Sequence, residues 1–125
     1  MAEFLAVAIG GAVGSLGRWG IGIVLGSWLP GVPAGTFAAN VLAGLIIGTV
    51  TGAHAVAPLP EPWRLLLTVG LCGGLSTFST FSNETVRMLE AGQLGGAALN
   101  IGLNVATCLV AVWLGSRLGM RIAAL

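Results

Sequence analysis

An all-α membrane protein with four transmembrane helices, the third broken near mid-bilayer, is the fold class this sequence predicts. Of its 125 residues, 56% are hydrophobic and only 7% charged. The mean hydropathy of +1.00 places the chain in a bilayer rather than in water. Its apolar stretches fall into four lengths close to the about 20 residues a helix needs to cross the hydrocarbon. The run GLSTFSTFSNET, Gly74 to Thr85, sets hydroxyls directly after a glycine cluster in the third stretch, where side-chain oxygens compete with helix hydrogen bonds.

The first span covers about 4–28 and stops at SWLPGVPAG, where Pro30, Gly31, Pro33 and Gly35 interrupt the helix. Met1-Ala2-Glu3 lacks the positive n-region of a secretory signal, so this span is expected to be retained. A second span covers about 35–56 and ends before APLPEPW; a third covers about 63–89 and a fourth about 95–114. The expectation is one four-span domain over 1–125, with no room for a soluble one. Trp28, Trp63 and Trp113 fall near span ends, where an amphipathic ring prefers the headgroup region, whereas Trp19 lies inside span one. Gly10 and Gly14, then Gly44, Gly48 and Gly52, recur every fourth residue, the spacing that lets helix backbones approach closely.

With net charge +1 and no lysine or aspartate, the chain offers no basic patch, and nucleic acid is not an expected partner. Arg64, Arg117 and Arg121 lie on the side of the N-terminus, against Arg87 and Arg18 toward the other. Such a small bias is a weak orientation signal and is compatible with insertion both ways round. Cys72 and Cys108 lack metal-ligand spacing and read as small buried apolar side chains. His54, Glu61, Arg64, Arg87 and Glu90 read as groups at headgroup level.

Polar groups inside hydrocarbon must find partners, so they are where function is sought. Span three holds Ser76, Thr77, Ser79, Thr80, Ser82, Asn83, Glu84 and Thr85 after Gly70, Gly73 and Gly74. A break there would leave carbonyls for a cation and amides for an anion; a continuous helix with back-bonded hydroxyls is the alternative. Asn40 lies in span two, while Asn100, Asn104 and Thr107 form a stripe on one face of span four. The stripe is either interhelical glue or, taken with Asn40 and the hydroxyls, part of a permeation track. Hydroxyl and amide donors without a mid-membrane lysine suit a small anion that must also leave. Phe78 and Phe81 add positive ring edges, which opposed across a narrow path would favour a compact anion.

Three stretches, GGAVGSLGRW (Gly10 to Trp19), GTFAANVLAGLIIG (Gly35 to Gly48) and GLCGGLSTFSTFSNE (Gly70 to Glu84), resemble in order and spacing the signatures of the CrcB/Fluc family of fluoride channels. The resemblance implies a channel in the cell membrane of a prokaryote that exports toxic fluoride down its electrochemical gradient. It implies an antiparallel, dual-topology homodimer with two pores, related by a two-fold axis in the membrane plane. It assigns the fluoride pathway to Asn40, Phe78, Ser79, Thr80 and Phe81, with Asn100 and Asn104 standing where a tyrosine and a serine are expected. A central structural sodium ion would be held by the backbone carbonyls of Gly73 and Ser76. Arg18 and Glu84 match charged positions of the first and third signatures.

The competing class is a small multidrug-type proton-coupled cation exporter, also built from four short spans. That chemistry needs a carboxylate inside span one, where this chain has Arg18, with Glu3 at its end. No nucleophile or acid is placed near His54, and no enzyme is expected.

Overall fold

Turn chemistry places most of the helix ends in this protein, whose computed structural model describes residues 1–25 and 31–125. The expected end of span one at Trp28 and the stop at Pro30 lie outside the described residues. Helix α1 runs Ala2–Leu25 and α2 runs Ala34–Val56. The third span is assembled from α3 (Glu61–Leu65), a π-helical stretch Leu66–Cys72, the single turn α4 (Gly73–Leu75) and α5 (Phe78–Glu90). Helix α6 runs Leu94–Ala123. All four spans are long and apolar enough to cross a membrane.

Two prolines start the third span: the Pro60 carbonyl accepts from Trp63 and Arg64 N–H at 3.0 and 3.1 Å, and Pro62 sits in the first turn, where its missing N–H costs nothing. At the far end Gly92, with φ 74°, closes α5. Its N–H reaches Leu89 O at 3.0 Å and Gln93 N–H reaches Met88 O at 2.8 Å, the paired bonds that a left-handed residue after a helix makes possible. His54 Nδ1 accepts from Leu59 N–H at 2.9 Å and ties down the loop after α2, while Glu61 pairs with Arg64.

The close-packing expectation from glycine spacing is met by backbone contact. Gly10 and Gly14 of α1 lie on the third span, where a Cβ at Gly10 would collide with the Leu66 carbonyl and one at Gly14 with the Leu71 carbonyl. Helices α2 and α6 interlock the same way, Gly48 and Gly52 against Val112 and Ser116, and Gly115 and Gly119 against Leu45 and Thr49.

Two features differ from the sequence-based expectation. Helix α6 continues nine residues past 114, to Ala123, because no proline stops it and the Gly115–Gly119 face is still seated on α2. At about 1.5 Å per residue its length exceeds the about 30 Å of hydrocarbon, and in the extended part the Arg117 guanidinium lies 5.7 Å from the Trp113 ring. The second difference is the π-helical stretch, an irregularity in a segment pressed against α1, where Gly70 meets the backbone of Val7 and Gly10.

The chain is built inside out. Phe4, Trp19, Phe78 and Leu109 are exposed, Ala39, Ala43, Cys72 and Leu75 form a small buried apolar cluster, and among the described residues the largest fully buried side chain is Asn100. In lipid this is the expected sense, since apolar groups lose nothing by facing hydrocarbon and polar ones must be enclosed.

Candidate functional site

The break falls at Ser76 and Thr77, both extended (φ −78°, ψ 152° and φ −151°, ψ 108°), between α4 and α5. Ser76 closes the lower turn, its N–H and Oγ both donating to the Cys72 carbonyl at 2.9 and 2.8 Å. Thr77 opens the upper helix as its N-cap, Oγ1 accepting from Thr80 N–H at 3.2 Å. The alternative of an unbroken helix is thereby excluded.

Helix interruption frees specific groups. In a continuous helix the Thr77 N–H would serve the Gly73 carbonyl; here it donates to Asn40 Oδ1 at 2.8 Å. Thr80 N–H would serve Ser76 O, but goes to Thr77 Oγ1. The Gly73 and Ser76 carbonyls are therefore among the four, Gly73 to Ser76, that lose their usual donors; both residues are exposed, and among the described residues no other segment comes within 4 Å of where a Gly73 Cβ would be. Hard oxygen donors without partners fit a cation such as sodium, and among the described residues no three His, Cys, Asp or Glu side chains gather to offer a side-chain site. The neighbouring Gly74 carbonyl is capped by Arg18 Nε at 3.1 Å.

Beside the break a cavity of about 340 Å³ opens between α2, the third span and α6, lined in part by Asn40, Thr77, Phe78, Phe81 and Asn104. Asn40 Nδ2 donates to Asn104 Oδ1 at 3.1 Å. Asn104 Nδ2 donates to Asn100 O and Oδ1, both at 3.0 Å, and Asn100 Nδ2 to Thr85 Oγ1 at 3.0 Å. Thr85 Oγ1 in turn donates to the Phe81 carbonyl at 2.8 Å. On the other side of Thr77 a cavity of about 300 Å³ is bounded by Arg18, Thr36, Thr77 and Thr80. Thr77 Oγ1 donates to Thr80 Oγ1 at 3.0 Å and lies 3.3 Å from Ser79 Oγ. Glu84 Oε1 accepts from Thr36 Oγ1 at 2.7 Å, and its Oε2 is buried and finds no partner among the described residues.

Residues 5–116 match a family described as "CrcB-like protein, Camphor Resistance (CrcB)". The chain belongs to the CrcB family. Its relatives include proteins named "Fluoride-specific ion channel FluC" from several bacteria. The protein of that name from Paraburkholderia xenovorans (strain LB400) is 54% identical over 114 residues, 90% of each chain. Its namesake from Pseudomonas aeruginosa (strain UCBPP-PA14) is 47% identical over 114 residues, again 90% of each. In Cronobacter sakazakii (strain ATCC BAA-894) the figure is 43% over 122 residues, 94% of this chain and 96% of the relative. With four helices among the described residues long and apolar enough to cross a membrane, and bacterial relatives along nearly its whole length, this CrcB protein is a multi-pass membrane protein of a prokaryote.

Against that family frame, the structure brings Asn40, Phe78, Phe81 and Asn104 to one cavity, with Ser79 and Thr80 joined to the rim through Thr77. Phe78 and Phe81 are neighbours on one helix, ring centroids 5.6 Å apart and tilted by 51°. Within one chain they are therefore side by side rather than opposed across a gap. Phe78 is 80% exposed and Phe81 9%. The span-four stripe divides: Asn100 and Asn104 point inward at 1% and 5% exposure, whereas the Thr107 hydroxyl bonds back to the Leu103 carbonyl. Thr36 lies inside the stretch Gly35 to Gly48 and Thr85 among the span-three hydroxyls, but their partners, Glu84 and Asn100, are 48 and 15 residues away, and spacing along one segment does not pair them.

Proposed function

We propose that this chain is a fluoride-selective channel through which the toxic anion leaves the cell down its electrochemical gradient. The observation that carries the reading is the broken third helix in a CrcB-family chain, which puts a free amide hydrogen, helix-start N–H groups and two phenyl rings around one cavity. Fluoride is small and strongly hydrated, so a path that strips its water must return hydrogen-bond donors. Ser79 and Thr80 hydroxyls, the Asn40 amide and the N-terminal N–H groups of α5 supply these, while the nearby cation, Arg18, is bonded to the Gly74 carbonyl, so the anion is not held. Phe78 and Phe81 present ring edges where donors run out. Asn104 continues the path from behind Asn40, and Asn100, expected beside it in the track, is buried behind Asn104 and bonded to it.

The working unit is an antiparallel homodimer in the lipid bilayer, with dual topology and two pores. Two features support it: the exposure of Ser76 and Ser79 beside Phe78, polar groups that hydrocarbon would leave without partners, and the side-by-side rings, which face another ring across a gap only if a second copy supplies it. Gly73 and Ser76 carbonyls from both subunits would hold a structural sodium ion near the two-fold axis, joining the two breaks electrostatically. Arg18, by capping Gly74, and Glu84, through Thr36, support the entrance.

Growth tests this reading. Bacteria deleted for their own fluoride exporter should regain growth in fluoride medium when this chain is expressed, and Phe81→Ile should not restore it. Membrane-inserted wild-type protein that gives no protection would refute the function.

A further inference from the structure

We propose that Thr85 and Asn100 are positioning residues, which lock the Asn40 amide so that it turns an N–H, and never its carbonyl, toward the anion path. Which way an amide points follows here from its partners. A backbone N–H only donates, so the Asn40 atom 2.8 Å from Thr77 N is Oδ1. Nδ2 therefore faces Asn104, whose facing atom must accept and is Oδ1, at 3.1 Å. Asn104 Nδ2 is thereby turned onto the two Asn100 oxygens, leaving Asn100 Nδ2 to face Thr85 Oγ1 at 3.0 Å.

Thr85 spends its own proton on the Phe81 carbonyl, which only accepts, at 2.8 Å. The relay thus begins at a group that can only donate and ends at one that can only accept, and no amide in it can flip without placing like against like. Thr85, Asn100 and Asn104 are all buried, so no solvent replaces a lost partner. Among the described residues, one Asn40 Nδ2 hydrogen is left without an acceptor, on a side chain that lines the 340 Å³ cavity. A free donor there welcomes an anion; a flipped amide would present a carbonyl oxygen, repel the anion and orphan Thr77 N–H. The relay also links the amide to the Phe81 backbone, so donor and ring are set by one network.

This inference rests on the channel reading, and two readouts separate them. Thr85→Val keeps the shape and removes the hydroxyl; Thr85→Ser restores it. In the purified full chain, hydrogen exchange at the Thr77 amide should quicken by about tenfold or more in the Val variant and stay within about twofold in the Ser variant, the effect of leaving buried partners unpaired. Fluoride efflux from liposomes should fall about tenfold in the Val variant alone. If Thr85→Val does not fold, Thr85→Cys, a weak hydrogen-bonding group, is read the same way. Unchanged Thr77 exchange in the Val or Cys variant overturns the relay, and faster exchange with intact efflux overturns its role in conduction. Wild-type protein that passes no fluoride refutes the channel reading, and the relay then stands or falls on the exchange rates.

Discussion

Replacing Gly48 by alanine adds one methyl group at a point where α2 and α6 touch through their backbones. An alanine Cβ would overlap the Val112 carbonyl oxygen and lie 3.0 Å from Ser116 N, and neither is a side chain that can swing away. The helices must part by roughly 1 Å to regain ordinary van der Waals separation. Overpacking of this kind costs about 1–3 kcal/mol, and the rigid obstacle argues for the upper end. The better helix propensity of alanine returns about 1 kcal/mol, so a net loss near 2 kcal/mol is expected. The functional cost is larger, because Asn40 and Asn104 ride on the same two helices. Their hydrogen bond is 3.1 Å long, and parting by roughly 1 Å takes it beyond the range of useful bonding. The control is Gly102→Ala, where a Cβ meets nothing within 4 Å; it should be neutral or stabilising by up to about 1 kcal/mol. Denaturation of the detergent-solubilised protein and fluoride efflux from liposomes measure both. Equal stability and efflux in the Gly48 and Gly102 variants would refute the backbone-contact argument.

Phe78→Ile should cut fluoride efflux strongly with little loss of single-chain packing, since that ring is exposed, whereas Phe81→Ile should lose both efflux and stability; normal efflux in both would remove the rings from the path. Arg18→Met keeps the apolar stem but uncaps the Gly74 carbonyl, and a charge-assisted bond of this kind is worth about 1.5–3 kcal/mol; a melting curve identical to wild type would make that contact incidental. Thermal stability of the detergent-solubilised dimer should fall when sodium is exchanged for a large organic cation, and a monomer at every sodium concentration would contradict the assembly proposed around Gly73 and Ser76.

Local chemistry made much of this architecture legible in the sequence. Four apolar lengths became four membrane-crossing helices, and glycines at four-residue spacing became backbone contacts, because both depend on properties repeated along one segment. The break was foreshadowed by Gly73 and Gly74 ahead of Ser76 and Thr77, residues whose side chains offer the backbone another partner. What stayed hidden depends on two segments meeting. The π-helical stretch Leu66–Cys72 lies against α1, and the overhang of α6 continues where Gly115 and Gly119 still rest on α2. Helical spacing put Asn100, Asn104 and Thr107 on one face, but only the first two found partners across the bundle, and the Thr107 hydroxyl turned back to Leu103. Thr85 looked like one hydroxyl among many until Asn100 reached it.

The most direct test of the central claim is ion-specific efflux from liposomes that contain the purified protein. Vesicles loaded with potassium fluoride and potassium chloride, treated with valinomycin to remove the opposing potential, are followed with a fluoride electrode and a chloride electrode side by side. A fluoride-selective channel loses fluoride rapidly from these vesicles and retains chloride. Retention of both anions by vesicles carrying folded protein, or loss of both at similar rates, would contradict it.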